Sequence, residues 1–165
     1  MWSWFTFWLI LHILAVFVAF GPDFAFPFVA RLVQKNPQHA SFGAELIHMV
    51  EEKLTLPLAV IVPLLGVALI YEGHFDLWKS EWLVISIILY AATFFFAVFV
   101  QLPNSSKMLR MLEAMPPGPP PEGPPPPEIA AMGKRLQLGG MLLALSVVVL
   151  TVLMVWQPGN CQGVC

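Results

Sequence analysis

Apolar residues in this chain come in long unbroken runs and not at every second position. The runs centre on Trp2 to Phe20, Leu54 to Tyr71, Trp82 to Leu102 and Leu138 to Trp156. A helix needs about 20 predominantly apolar residues to cross a hydrocarbon layer of about 30 Å, and each run reaches that length. Strand-like alternation is absent, which disfavours a membrane barrel. The pattern predicts an all-α, polytopic membrane protein: a four-helix transmembrane bundle forming a single domain over 1-165, with spans at 2-34, 42-72, 78-102 and 134-157. The first span continues, bent, through Gly21, Pro22 and Pro27 towards Val33. No Lys or Arg precedes Phe20 and the run is rich in Trp and Phe, which is unlike a cleaved secretory signal.

The sparse charges orient the bundle. Arg31, Lys35, Lys53, Lys107, Arg110, Lys134 and Arg135 fall on the side of the first and third connections, against Lys79 alone on the other. The positive-inside bias therefore predicts both termini outside and the 103-133 loop in the cytoplasm. Trp2, Trp4, Trp78, Trp82 and Trp156 gather near the predicted outer interface, where amphipathic rings are favoured. Composition agrees with a lipid-solvated chain, at 58% apolar and 11% charged residues with mean hydropathy +0.78. The non-spanning stretches are too short to enclose a soluble core. A net charge of −2 makes nucleic acid an unexpected partner. Phosphate-binding Gly loops, zinc signatures and nucleophile elbows are also absent, so the protein is expected to act within or beside the bilayer.

The cytoplasmic connection carries MPPGPPPEGPPPPE, with nine prolines from Pro116 to Pro127. Such a run has few backbone donors and favours an extended, semi-rigid spacer. Before it, SSKMLRMLEAM reads as a short amphipathic piece lying on the inner surface. Cys161 and Cys165 near the C-terminus fall on the oxidising side and are a disulfide candidate; two thiolates without neighbouring ligands make a weak metal site.

Chemistry within the membrane centres on His12, because an intramembrane ionisable ring must find a partner. Its helical neighbours Trp8, Ala15, Val16 and Ala19 leave one side open to a flat ligand or to another helix. Three roles are compatible with it: an axial haem ligand, a hydrogen-bonding partner for a quinone or other lipid-soluble substrate, and a tie between helices. A second candidate lies in AELIHMVEEKL, where Glu45, His48 and Glu52 share a helical face. Glu45 and His48 match half of a di-iron carboxylate motif, but the second half is missing, and interfacial pairing is the simpler account. The methionines Met108, Met111, Met115 and Met132 lie in the loop and not along a path through the bilayer, which makes copper transport a weaker idea.

LHILAVFVAFGPDFAFP at the start and VLMVWQPG at the end of the last run resemble an uncharacterised family of predicted bacterial integral membrane proteins with four spans. More distantly, LHIL with the following Gly and Pro, and EEKLTLPLAVIVPLLGVAL, are similar to the membrane-embedded bacterial protoporphyrinogen oxidases and the copper-resistance D-type proteins. The first of these two likenesses implies that His12 is associated with haem. This chain departs from the oxidases at FVAFG, at Phe28 and at VEEKL. The expectation is a multi-pass protein of the bacterial cytoplasmic (inner) membrane that binds haem b through His12. It would work as a redox-associated component or accessory subunit beside other membrane subunits or in a homo-oligomer. A non-catalytic structural subunit and a porphyrinogen or quinol oxidoreductase are the alternatives.

Overall fold

In the computed structural model, residues 3–77, 79–115 and 125–158 are described; Trp2, Trp78, most of the proline run, Cys161 and Cys165 lie outside them. Among the described residues all regular structure is helical, and four continuous stretches are long and apolar enough to cross a membrane: Trp4–Lys35, Pro37–Glu72, Glu81–Glu113 and Pro127–Trp156. At about 1.5 Å per residue these stretches exceed the about 30 Å of a hydrocarbon core, so each projects beyond it. The polar residues of all four collect towards the end that carries the first and third connections, here called the hairpin end; Trp4 and Trp156 lie at the other, here called the terminal end.

Proline explains why none of the first three stretches is a plain α-helix. The first begins as α1 (Trp4–Phe20), whose first turn is closed by Ser3 accepting from the Thr6 amide at 3.2 Å. Pro22 then forces a 3₁₀ turn at Gly21–Phe24 before α2 (Phe26–Lys35) resumes. The second stretch is α3 (Ala40–Val50), a π-helical turn at Glu51–Thr55 and α4 (Leu56–Glu72). The third is α5 (Glu81–Phe96), a π-helical turn at Ala97–Gln101 and α6 (Leu102–Glu113). Both π turns stand just ahead of a proline, Pro57 and Pro103. A proline ring clashes with the carbonyl four residues back and donates nothing to it. Widening the turn, so that the Leu56 amide reaches Glu51 and the Leu102 amide reaches Ala97, carries the helix past the obstacle. The fourth stretch, α7 (Pro127–Trp156), is uninterrupted and ends in a left-handed Gln157 at φ 46°.

The helices run further than the apolar runs alone indicate. The 103-133 interval read as loop is helical through Glu113 and again from Pro127. SSKMLRMLEAM is not a separate surface piece: it begins within α6, where Ser105 and Leu112 are buried as the helix packs on α3. Its amphipathic pattern reflects that helix partner and not an interface with lipid.

The packing is that of two helix pairs. α1 lies along α4, α5 lies along α7, and the pairs are joined most firmly at the hairpin end by α3 against α6. At the terminal end Phe5, Phe75 and Trp82 form a ring chain, with centroids 6.3 and 5.9 Å apart. Between these two closures the pairs stand apart except where Tyr90 of α5 reaches across to the Ala59 carbonyl of α4.

Candidate functional site

The gap between the pairs is a cleft enclosing about 110 Å³. α1 and α4 form one wall through His12, Val16, Phe20, Thr55 and Ala59, and α5 and α7 form the other through Tyr90, Phe94, Leu143, Val147 and Met154. An apolar cavity of about 150 Å³ admits benzene, so the enclosed space is on the scale of one six-membered ring. Few contacts join α1 to α7 or α4 to α5, and the cleft is partly open.

His12 stands about two turns below Trp4, or about 12 Å into a hydrocarbon core of about 30 Å. It is 7% exposed, and its Nδ1 lies 3.1 Å from the Val62 carbonyl of α4. A carbonyl only accepts, so Nδ1 carries the proton and the neutral ring keeps its lone pair on Nε2. Nε2 has no partner among the described residues. The imidazole lies against Gly66, where a Cβ would stand 3.7 Å from Cε1.

The hydroxyl and amide donors lining the cleft are already engaged, two of them at carbonyls left open by proline. Pro63 cannot donate to the Ala59 carbonyl four residues back, and the Tyr90 hydroxyl of the opposite pair donates to it instead. Pro22 cannot close a 3₁₀ bond to Ala19, and Thr55 donates to that carbonyl at 3.0 Å. Thr93 and Thr151 donate to the carbonyls of Leu89 and Val147 on their own helices, and Gln101 donates across to Leu136 of α7. What remains in the lining is the His12 ring and two carboxyl groups.

Both carboxyl groups are at the hairpin end. The 3₁₀ turn delivers Asp23, the first π turn delivers Glu51, and the second delivers Gln101, which is 8% exposed. Asp23 lies close enough to Glu51 for their charges to interact, while Gln101 and Ser105 turn towards the Glu51 carboxyl. Glu51 Oε2 is buried without a hydrogen-bond partner. No Lys or Arg is among the lining residues. Three irregular segments on three spans therefore bring their polar side chains to one level, as broken helices do where they line a cavity.

Of the residues singled out in the sequence, His12 alone reaches this cleft. Glu45 is exposed on α3, and His48 stands 3.9 Å from Glu52, one turn along its own helix. Among the described residues no three His, Cys, Asp or Glu side chains converge as metal ligands, so Glu45 and His48 gain no third donor. Cys161 and Cys165 lie outside the described residues. Sequence reasoning missed Asp23, Glu51 and Gln101. The signal for them was a proline close by in each span, at Pro22, Pro57 and Pro103.

Comparison with curated proteins and with solved structures finds no match. A family model described as predicted integral membrane protein (DUF2269) covers residues 6–158, nearly the whole length, and the chain belongs to that family.

Proposed function

We propose that this chain works in the bacterial cytoplasmic membrane as a redox-associated component or accessory subunit that holds b-type haem on His12. The observation that carries the reading is the His12 ring: buried near mid-membrane, held by the Val62 carbonyl through Nδ1 and among the residues that line an apolar cleft. A hydrogen bond from the far nitrogen is what fixes a metal-binding histidine in the required tautomer and raises its basicity. Among the described residues this donor set suits an iron ligand. Met154 of the same cleft adds a thioether, the other donor of His/Met haem sites. The cleft, on the scale of one six-membered ring, is smaller than a porphyrin and offers no cation, so haem would need the helix pairs to stand further apart and its carboxylates to find partners beyond the cleft. Bound haem would supply one-electron exchange. The chain's own part is to orient the imidazole, exclude water with apolar walls and hold the two helix pairs at a set separation.

A second reading, a site for a lipid-soluble hydroquinone, is favoured by the polarity of the cleft. The neutral His12 ring with Nδ1 bonded to Val62 has an acceptor nitrogen, and the enclosed space suits one ring. Such a site would prefer the hydroxyl-bearing reduced ring to the quinone, which has nothing to donate.

The deciding experiment is the absorption spectrum of detergent-purified protein, oxidised and dithionite-reduced, for wild type and His12→Ala. The haem reading expects a Soret band that moves on reduction and is lost in the variant. Colourless wild type that ignores added haemin overturns it. Titration of that same protein with a decyl benzohydroquinone and its quinone then supports the second reading if the hydroquinone binds more tightly. With neither ligand bound, His12 is a structural contact in an assembly subunit.

A further inference from the structure

The helix α2 differs from the rest of the hairpin end. Between Asp23 and Glu45 the chain has no carboxylate, while α2 exposes Arg31 and Lys35. Beside these cations run Phe24, Phe28 and Leu32, 45%, 69% and 64% exposed, at a four-residue spacing that places them on one face. α1 has already crossed most of a core of about 30 Å, so α2 begins at headgroup level. The α7 helix packs against α2 and exposes Lys134 and Arg135 in its early turns. Among the described residues none of these four cations is within ion-pairing distance of a carboxylate.

We propose that this face, α2 together with Lys134 and Arg135, binds anionic phospholipid headgroups, with Phe28 and Leu32 entering the acyl boundary. A soluble phosphate would satisfy the cations and leave the apolar stripe in water. An anionic lipid surface covers both at once, as with basic amphipathic helices that lie in an interface. The 3₁₀ turn at Gly21–Phe24 separates α2 from α1. The inference is independent of what occupies the cleft.

The test uses the full chain in nanodiscs of equal phosphatidylglycerol and phosphatidylcholine, followed by detergent capture and mass spectrometry of the lipids retained. Wild type is expected to retain phosphatidylglycerol severalfold over its bulk share. The double variant Arg31→Gln, Lys35→Gln should fall towards the bulk ratio, and Phe28→Ala should fall part of the way. Lys79→Gln, at the terminal end beside Asp76 at 3.3 Å, should leave the enrichment unchanged. Retention at the bulk ratio by wild type, or enrichment that survives both α2 variants, overturns the proposal. So does enrichment abolished by millimolar inorganic phosphate, or an acidic peptide bound at this face in place of lipid.

Discussion

His12 lies against α4 over Gly66. Gly66 leaves the imidazole room to cross the helix and reach Val62, and a Cβ at 3.7 Å from Cε1 is ordinary contact. Gly66→Ala should therefore keep the ring in place, whereas Gly66→Leu should push it off the Val62 carbonyl. The imidazole ¹⁵N shifts of His12 report this directly: unchanged for Ala, and with the Nδ1 signal moved towards that of a ring without the bond for Leu. Where haem is bound, the Soret band should survive the first substitution and be lost with the second. A depth near mid-membrane made His12 conspicuous in the sequence, because few polar groups are tolerated there. Its partner was not legible, since every residue carries a carbonyl and only packing selects Val62.

At the scale of elements, proline placement decides which carbonyls need help. Pro63 leaves the Ala59 carbonyl without its helical donor, and Tyr90 supplies one from the opposite helix pair. Tyr90→Phe should destabilise the bundle by about 1 kcal/mol, the order found for hydrogen bonds between membrane helices. In a Pro63→Ala background, where a backbone amide can take the same carbonyl, that cost should largely disappear. Reversible unfolding in mixed micelles, run as a double-mutant cycle, measures the coupling; additive single effects would show that the hydroxyl and the proline act independently. The π turns belong to the same scale. Pro57 and Pro103 marked them in the sequence as interruptions, but a proline can kink, bulge or end a helix, and neighbouring helices choose among these. The reach of α6 was missed for a related reason. SSKMLRMLEAM has the amphipathic spacing of a surface helix, and only α3 packed on Ser105 and Leu112 shows which partner its buried face has.

For the whole molecule, the four spans place Trp4 and Trp156 at one end and six of the eight basic residues in α2, α6 and the start of α7 at the other, with Lys53 in the first π turn nearby. If the positive-inside bias governs insertion, a cysteine replacing Ser106 should react with an impermeant maleimide only after the cells are opened, and one replacing Ser3 should react in intact cells. Labelling of the first in intact cells would reverse the topology. Before those assays, Cys161 and Cys165 are replaced by Ser so that the introduced thiol is the one read.

The sequence by itself determined the number of spans, their helical state and the end at which charge collects. These follow from local quantities: the length of each apolar run, the need of every backbone group in lipid for an internal partner, and the scarcity of charge. It also marked His12 and the prolines. Only the tertiary structure decided that the helices pair as α1 with α4 and α5 with α7, that a cleft separates the pairs, and that Asp23, Glu51 and Gln101 meet at its hairpin end. The hydrophobic pattern is uniform around each span, because lipid and a neighbouring helix are equally apolar surroundings. Such a pattern cannot say which face meets which, and that choice falls to side-chain shape and to the few carbonyls that proline leaves open.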